Sequence, residues 1–142
     1  MEQRVSLITL GVQDVERAAA FYEALGWEQV QHPNEGIVVF DLLGQALGLY
    51  PREKLAADMG LDVADLGHGS MTLSHNVDSP ATADSIMAKA EAAGATVLSP
   101  AKEVFWGGYT GYFRDPEGHV WEVSHNPFSK LSPEGAFRWN GY

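Results

Sequence analysis

The stretch VSLITLGVQDVERAAAFYEALGWE, Val5 to Glu28, passes from one periodicity to another with a polar residue between them. VSLITLGV is rich in β-branched and apolar residues and reads as a strand. Asp14 then stands where a helix N-cap belongs, since a short carboxylate can accept hydrogen bonds from the unpaired N–H groups of a first turn. Val15, Ala18, Tyr22 and Leu25 fall on one face at helical spacing, and Gly26 supplies the stop. A strand running directly into a helix is half of a βαβ unit, and its fold depends on what the rest of the chain adds.

The rest of the chain adds the same unit again. GSMTLSHNV, Gly69 to Val77, reads as a second strand of this kind. Ser79 and Pro80 open a second helix, Ala81 to Ala93, which stops at Gly94. Each helix leads into short strands that end in a turn and a strand: VVFDLLGQALGLYP in the first half and GYFRDPEGHVWEVSHNP in the second. Laying Thr9-Leu10 on Thr72-Leu73 sets Leu7 opposite Ser70, and laying Gly44 on Gly118 sets Gly48 opposite Glu122. The fold class expected is α+β, with two βαβββ modules in tandem forming an open mixed-sheet barrel around a cleft. One domain, 1–142, would hold module one at 1–51, a connector at 52–68 with REKLAADMG helical, module two at 69–127 and a tail at 128–142.

Composition excludes several classes. The 142 residues carry a formal charge of −10 with only nine Lys and Arg, which leaves no basic face for nucleic acid or an anionic membrane. A small-molecule partner, apolar or cationic, fits that charge better. With no cysteine there is no disulfide, thiolate nucleophile or cysteine zinc site. The N-terminal residues lack a long apolar run of signal or spanning type, so a cytoplasmic location is expected.

LGVQDVERAAAFYEALGWE near the start and GGYTGYFRDPEGHVWEVSHNP near the end resemble the vicinal oxygen chelate superfamily, the group of glyoxalase I, bleomycin-resistance proteins and extradiol dioxygenases. The resemblance covers nearly the whole chain. It implies that in metal-dependent members four inward strand positions supply His or Glu ligands to a divalent ion. Carried onto this chain, those positions are Leu7, Gly48, Ser70 and Glu122, of which only Glu122 can bind a metal. No metal and no other cofactor is therefore expected. The repeated Ser-His-Asn at 74–76 and 124–126 does not restore a site, because period-two strands point His75 and His125 away from the Glu122 face.

The residues sharing the Glu122 parity define the expected lining: Thr9, Gly48 and Tyr50 from module one, and Ser70, Thr72 and Glu122 from module two. Small side chains at 46, 48 and 70 would leave volume for a ligand. Trp106 and Tyr109, in the aromatic run FWGGYTGYF, would add a stacking platform. The function expected is metal-independent binding of a small molecule. The alternative is a glyoxalase-like lyase or isomerase, or a dioxygenase-type enzyme, using Glu122 as general base or a rearranged metal site. The resemblance and the aromatic tail, with Phe128, Phe137 and Trp139, together suggest a homodimer.

Overall fold

The structure, a computed structural model, describes residues 1, 3, 5–31, 36–67 and 71–142. In chain order it runs β1 (Leu7–Val12), α1 (Val15–Ala24), β2 (Val38–Leu42), β3 (Gln45–Pro51), α2 (Arg52–Met59), a 3-10 turn (Val63–Asp65), β4 (Leu73–Val77), α3 (Pro80–Ala92), β5 (Thr96–Glu103), β6 (Tyr109–Arg114) and β7 (Val120–His125). The chain divides into two compact units, 1–70 and 71–142.

In the first unit the strand order is β1-β3-β2, with β1 parallel and β2 antiparallel to β3. Beyond β2, among the described residues, the strand expected after α1 appears as a single bridge between Gln29 and Phe40 and a bond from Val30 N–H to the Val39 carbonyl. One face of this sheet is packed. Leu10, Val12, Phe40, Leu47 and Leu49 are buried, as are Ala18, Ala19, Phe21 and Tyr22 of α1. Tyr22, Trp27 and Phe40 form an aromatic cluster with centroids 5.1–5.8 Å apart. Asp14 starts α1 by accepting from the Arg17 N–H at 2.9 Å. The segment after β3 packs back on the same unit: Leu55 and Arg52 lie over Gly11, and Arg52 donates to the Leu66 carbonyl.

The second unit repeats the topology in full, with order β4-β7-β6-β5, parallel between β4 and β7 and antiparallel elsewhere. Trp121, Val123, Phe113 and Val77 are buried, as are Ala83, Met87 and Ala90 of α3, which packs on this sheet. Ser79 caps α3 by accepting from the Thr82 N–H, with Pro80 in the first turn. Neither sheet closes into a barrel among the described residues.

Candidate functional site

Each sheet has a helix-covered face and an opposite face, and the ladders fix which residues share the latter. In the first unit Leu7 pairs with Ala46, Thr9 with Gly48 and Gly11 with Tyr50. In the second unit Glu122 pairs with Ser74 on one side and Tyr112 on the other, and Ser124 pairs with Asn76 and Thr110. Side chains of paired residues point the same way, so Glu122 stands on the face away from α3, between Ser74 and Tyr112.

The two ladders correct the repeat alignment. Gly48 has Thr9 as its parallel partner and Glu122 has Ser74, so Thr9 corresponds to Ser74 and Leu7 to Thr72, not to Ser70. The helix caps agree, because Asp14 follows Thr9 by the same interval as Ser79 follows Ser74. A slip of two residues keeps the parity, which is why the expected face was right while the position was not. Ser70 lies outside the described residues. Thr72 is exposed and just precedes β4.

Around Glu122 the hydrogen-bonding groups are dense. The Tyr112 hydroxyl donates to Glu122 Oε2 at 3.2 Å. Burial first, then the negative charge of Glu122 and this bond, push the Tyr112 phenol above its usual pKa. One pair along, Thr110 Oγ1 and Ser124 Oγ lie 2.8 Å apart, both buried, at 4% and 3% exposure. A buried hydroxyl pair satisfies itself internally, so the Glu122 carboxylate is the charged group of this row on β7.

The first unit's open face is different in character. A Cβ at Gly48 would stand 3.3 Å from Ile37 Cδ1, 3.5 Å from Leu7 Cδ1 and 3.7 Å from Thr9 Oγ1. A side chain at Gly48 would thus be in contact at once with two alkyl groups and a hydroxyl. Tyr50 and Gly11 sit towards α2; burial and a hydrogen bond to Asp58 of that helix raise the Tyr50 phenol. Leu7 is 46% exposed.

The aromatic platform is not assembled at Glu122. Tyr109 pairs with His125, so it stands on the α3 side and donates to Asp84 Oδ1 at 2.9 Å. Trp106 sits at the tip of the β5–β6 hairpin with its ring directly over Gly108, where no Cβ would fit. His125 Nδ1 lies 3.3 Å from the Val77 carbonyl, and His75 pairs with Val123, both on the helix side as parity required. Tyr112 was missed in the sequence although its register was countable. Asp115 N–H bonds the His119 carbonyl at 2.8 Å across the turn, and counting three residues outward on each strand from that pair reaches Tyr112 and Glu122.

The profile of the Glyoxalase/Bleomycin resistance protein/Dioxygenase superfamily matches residues 4–123. The chain belongs to this superfamily. A crystal structure of a glyoxalase-related enzyme from Fulvimarina pelagi is 34% identical, covers 99% of this chain and 100% of its own, and superposes with a TM-score of 0.89. A glyoxalase/bleomycin resistance protein/dioxygenase family enzyme from Burkholderia phytofirmans is 22% identical over 84% of this chain and 96% of its own, TM-score 0.76. A lactoylglutathione lyase from Agrobacterium tumefaciens is 24% identical over 89% and 96%, TM-score 0.67. These two share the glyoxalase fold with this chain. None of the curated proteins compared matches it.

The metal ion that the superfamily implies can be tested against the residues present. With the corrected alignment the four positions hold an alkyl group at Leu7, a hydrogen at Gly48, a hydroxyl at Thr72 and a carboxylate at Glu122. Divalent ions take several nitrogen, sulfur or carboxylate ligands, and this set offers one strong donor. Gly48 itself is bordered by Ile37 Cδ1, Leu7 Cδ1 and Thr9 Oγ1, and Glu122 is engaged by a phenol. Among the described residues no group of three or more His, Asp or Glu is placed to hold a metal. The donor set does not fit the ion.

Proposed function

We propose that the protein binds a small molecule at the open face of its second sheet, without a metal ion, using Glu122 as the polar anchor. The observation that carries this reading is the Glu122–Tyr112 pair: a carboxylate on the superfamily's ligand position, held by a phenol donor. A carboxylate so placed accepts hydrogen bonds and attracts positive charge, and the net charge of −10 disfavours anionic ligands. The ligand is therefore a hydrogen-bond donor, apolar or cationic in its body. The same charge balance argues against nucleic acid or anionic membrane as partners.

The test is a thermal-shift and calorimetric screen of matched amines, alcohols and carboxylic acids against the wild type and Glu122→Gln. Donor compounds should stabilise the wild type, with affinity falling roughly 10-fold or more in Glu122→Gln for a lost charge-assisted bond. Elemental analysis after dialysis should find no stoichiometric Zn, Ni, Mn or Fe. An ion near one per chain, or preference for carboxylic acids, would overturn the reading.

A second reading, catalysis with Glu122 as general base, is favoured by the 34% identical Fulvimarina pelagi structure, which is described as a glyoxalase-related enzyme. In it Glu122 would take a proton from the bound substrate while Tyr112 holds the carboxylate in place. Glu122→Gln separates the two, since turnover would fall on the order of 100-fold with binding retained, whereas a binder changes affinity alone.

A further inference from the structure

The ladders of the second unit place more on the Glu122 face than the Glu122–Tyr112 pair. Ser74 lies on one side of Glu122, Tyr112 on the other and Ser99 beyond Tyr112, so one row across the four strands carries a side-chain oxygen at every position. Ser74 is exposed and Ser99 half-buried, which leaves both hydroxyls open to a ligand. In the row on one side Asn76 and Lys102 flank the Thr110–Ser124 pair. In the row on the other side Arg114 stands between Val120 and Thr96. Among the described residues that these ladders place on the face, Val120 has the one wholly hydrocarbon side chain. Such a face gives an apolar ligand little to bury against, and each hydroxyl that the ligand covered would lose its water unpaid by a new bond.

The charges on this face have a pattern of their own. Arg114 is the diagonal neighbour of Glu122 across the β6–β7 ladder, a relation that sets side chains ~7–8 Å apart. Lys102 stands on β5 beyond Thr110, and both cations are exposed. One ammonium group is therefore attracted to Glu122. A second, a few ångströms further on, meets Arg114 or Lys102 and is repelled. Hydroxyl groups suit the remaining positions, because Ser74 and Ser99 both donate and accept while Arg114 donates. Distance sets the size. Neighbouring strands lie ~4.8 Å apart, so Glu122 and Ser99, two strands apart, are separated by ~10 Å. A six-membered ring with substituents up to ~5 Å apart and a hydrogen bond of about 2.8 Å at either end spans that distance.

We infer that the ligand of this site is a ring-sized amino polyol, with a single ammonium group held by Glu122 and hydroxyl groups held by Ser74, Ser99 and Arg114. The inference rests on the reading of Glu122 as the anchor and narrows it. An apolar amine satisfies Glu122 but leaves the serines without partners, and a polyamine brings its further charges against Arg114 and Lys102. Ser74, one strand from Glu122, meets a hydroxyl on the carbon next to the amine, and Ser99 meets one on the far side of the ring. These two serines thus set the specificity of the site, while Glu122 sets its sign.

Nuclear magnetic resonance titration of the full chain with glucosamine, cyclohexylamine, glucose and spermidine tests the assignment. Glucosamine should bind more tightly than the other three. Ser74→Ala and Ser99→Ala should each weaken glucosamine roughly 2- to 10-fold, the effect of one lost hydroxyl bond, and leave cyclohexylamine unchanged. Glu122→Gln should weaken both amines. If cyclohexylamine or spermidine binds through Glu122 as tightly as glucosamine, or if neither serine variant weakens glucosamine, the amino polyol is overturned and Glu122 remains the anchor. Glucose binding as tightly as glucosamine removes the ammonium from the assignment and overturns it too. If no amine binds, or if Glu122→Gln leaves amine binding untouched, the anchor itself fails and the inference falls with it. Should Ser99→Ala, which lies between two register shifts of β5, lose its fold, the exposed Ser74→Ala must weaken glucosamine alone for the inference to stand.

Discussion

At the level of single residues, Glu122 draws its meaning from Tyr112. A phenol at 3.2 Å holds the carboxylate oxygen without neutralising it, so the pair is a fixed acceptor with one donor already in place. Tyr112→Phe removes that donor; ligand affinity should change by about 0.5–1.5 kcal/mol, the net worth of one such bond, as measured by calorimetry with any compound the wild type binds. Two glycines separate tight packing from tolerance. At Gly111 a Cβ would stand 2.9–3.0 Å from the backbone of Ala101, which cannot yield, whereas at Gly48 the nearest atom is the mobile end of Ile37 at 3.3 Å. Gly111→Ala should therefore cost about 1–3 kcal/mol by overpacking, and Gly48→Ala less, in urea unfolding. The parity of Glu122, His75 and His125 was legible from the strand period alone. The Tyr112 partnership needed the hairpin register, which the Asp115–Gly118 turn encodes, and the approach of Ile37 to Gly48 had no local signal because Ile37 precedes β2, outside the strand that carries Gly48.

At the level of elements, polar caps set where the helices begin. Asp14 and Ser79 each accept from an N–H three residues on, and Asp14→Ala or Ser79→Ala should each cost ~1 kcal/mol. For a chain of this size that is a fall in Tm of a few degrees, readable by calorimetry. The same two caps were the better ruler for the repeat. Aligned on them, Leu7 meets Thr72; aligned on the Thr-Leu dipeptide, it meets Ser70, because strand residues recur too freely to fix a register. The tandem topology was readable from the order of strand, cap and glycine. That only a bridge forms after α1 among the described residues of the first unit was not, since Gln29 and Val30 look as strand-like as many residues that pair along their whole length.

For the whole molecule, three tyrosines tie stability to alkaline pH. Burial and Asp58 raise the Tyr50 phenol, a hydrogen bond to Asp84 raises Tyr109, and burial with Glu122 raises Tyr112. A group whose pKa is raised on folding prefers its protonated form in the native state. Its contribution is complete below the unfolded value of about 10 and is lost as pH rises through the folded value. Urea midpoints should thus hold steady up to about pH 10 and fall above it, and tyrosinate absorbance should rise late in the native protein. One feature of the second unit governs a different property, the order in time of its assembly. Asp115 closes the β6–β7 turn by accepting from the Glu117 and His119 N–H groups, both at 2.9 Å, so that hairpin forms between neighbours in the chain. The β4–β7 ladder joins Leu73 to Trp121 across the whole of α3, β5 and β6. Closing the longer loop costs more chain entropy before any contact repays it. Substitutions at the turn, such as Asp115→Asn, should slow refolding in stopped-flow experiments, while Ser74→Ala should leave refolding unchanged and act on unfolding. The parallel ladder that brings β4 alongside Glu122 is then the last seam to close and the first to open.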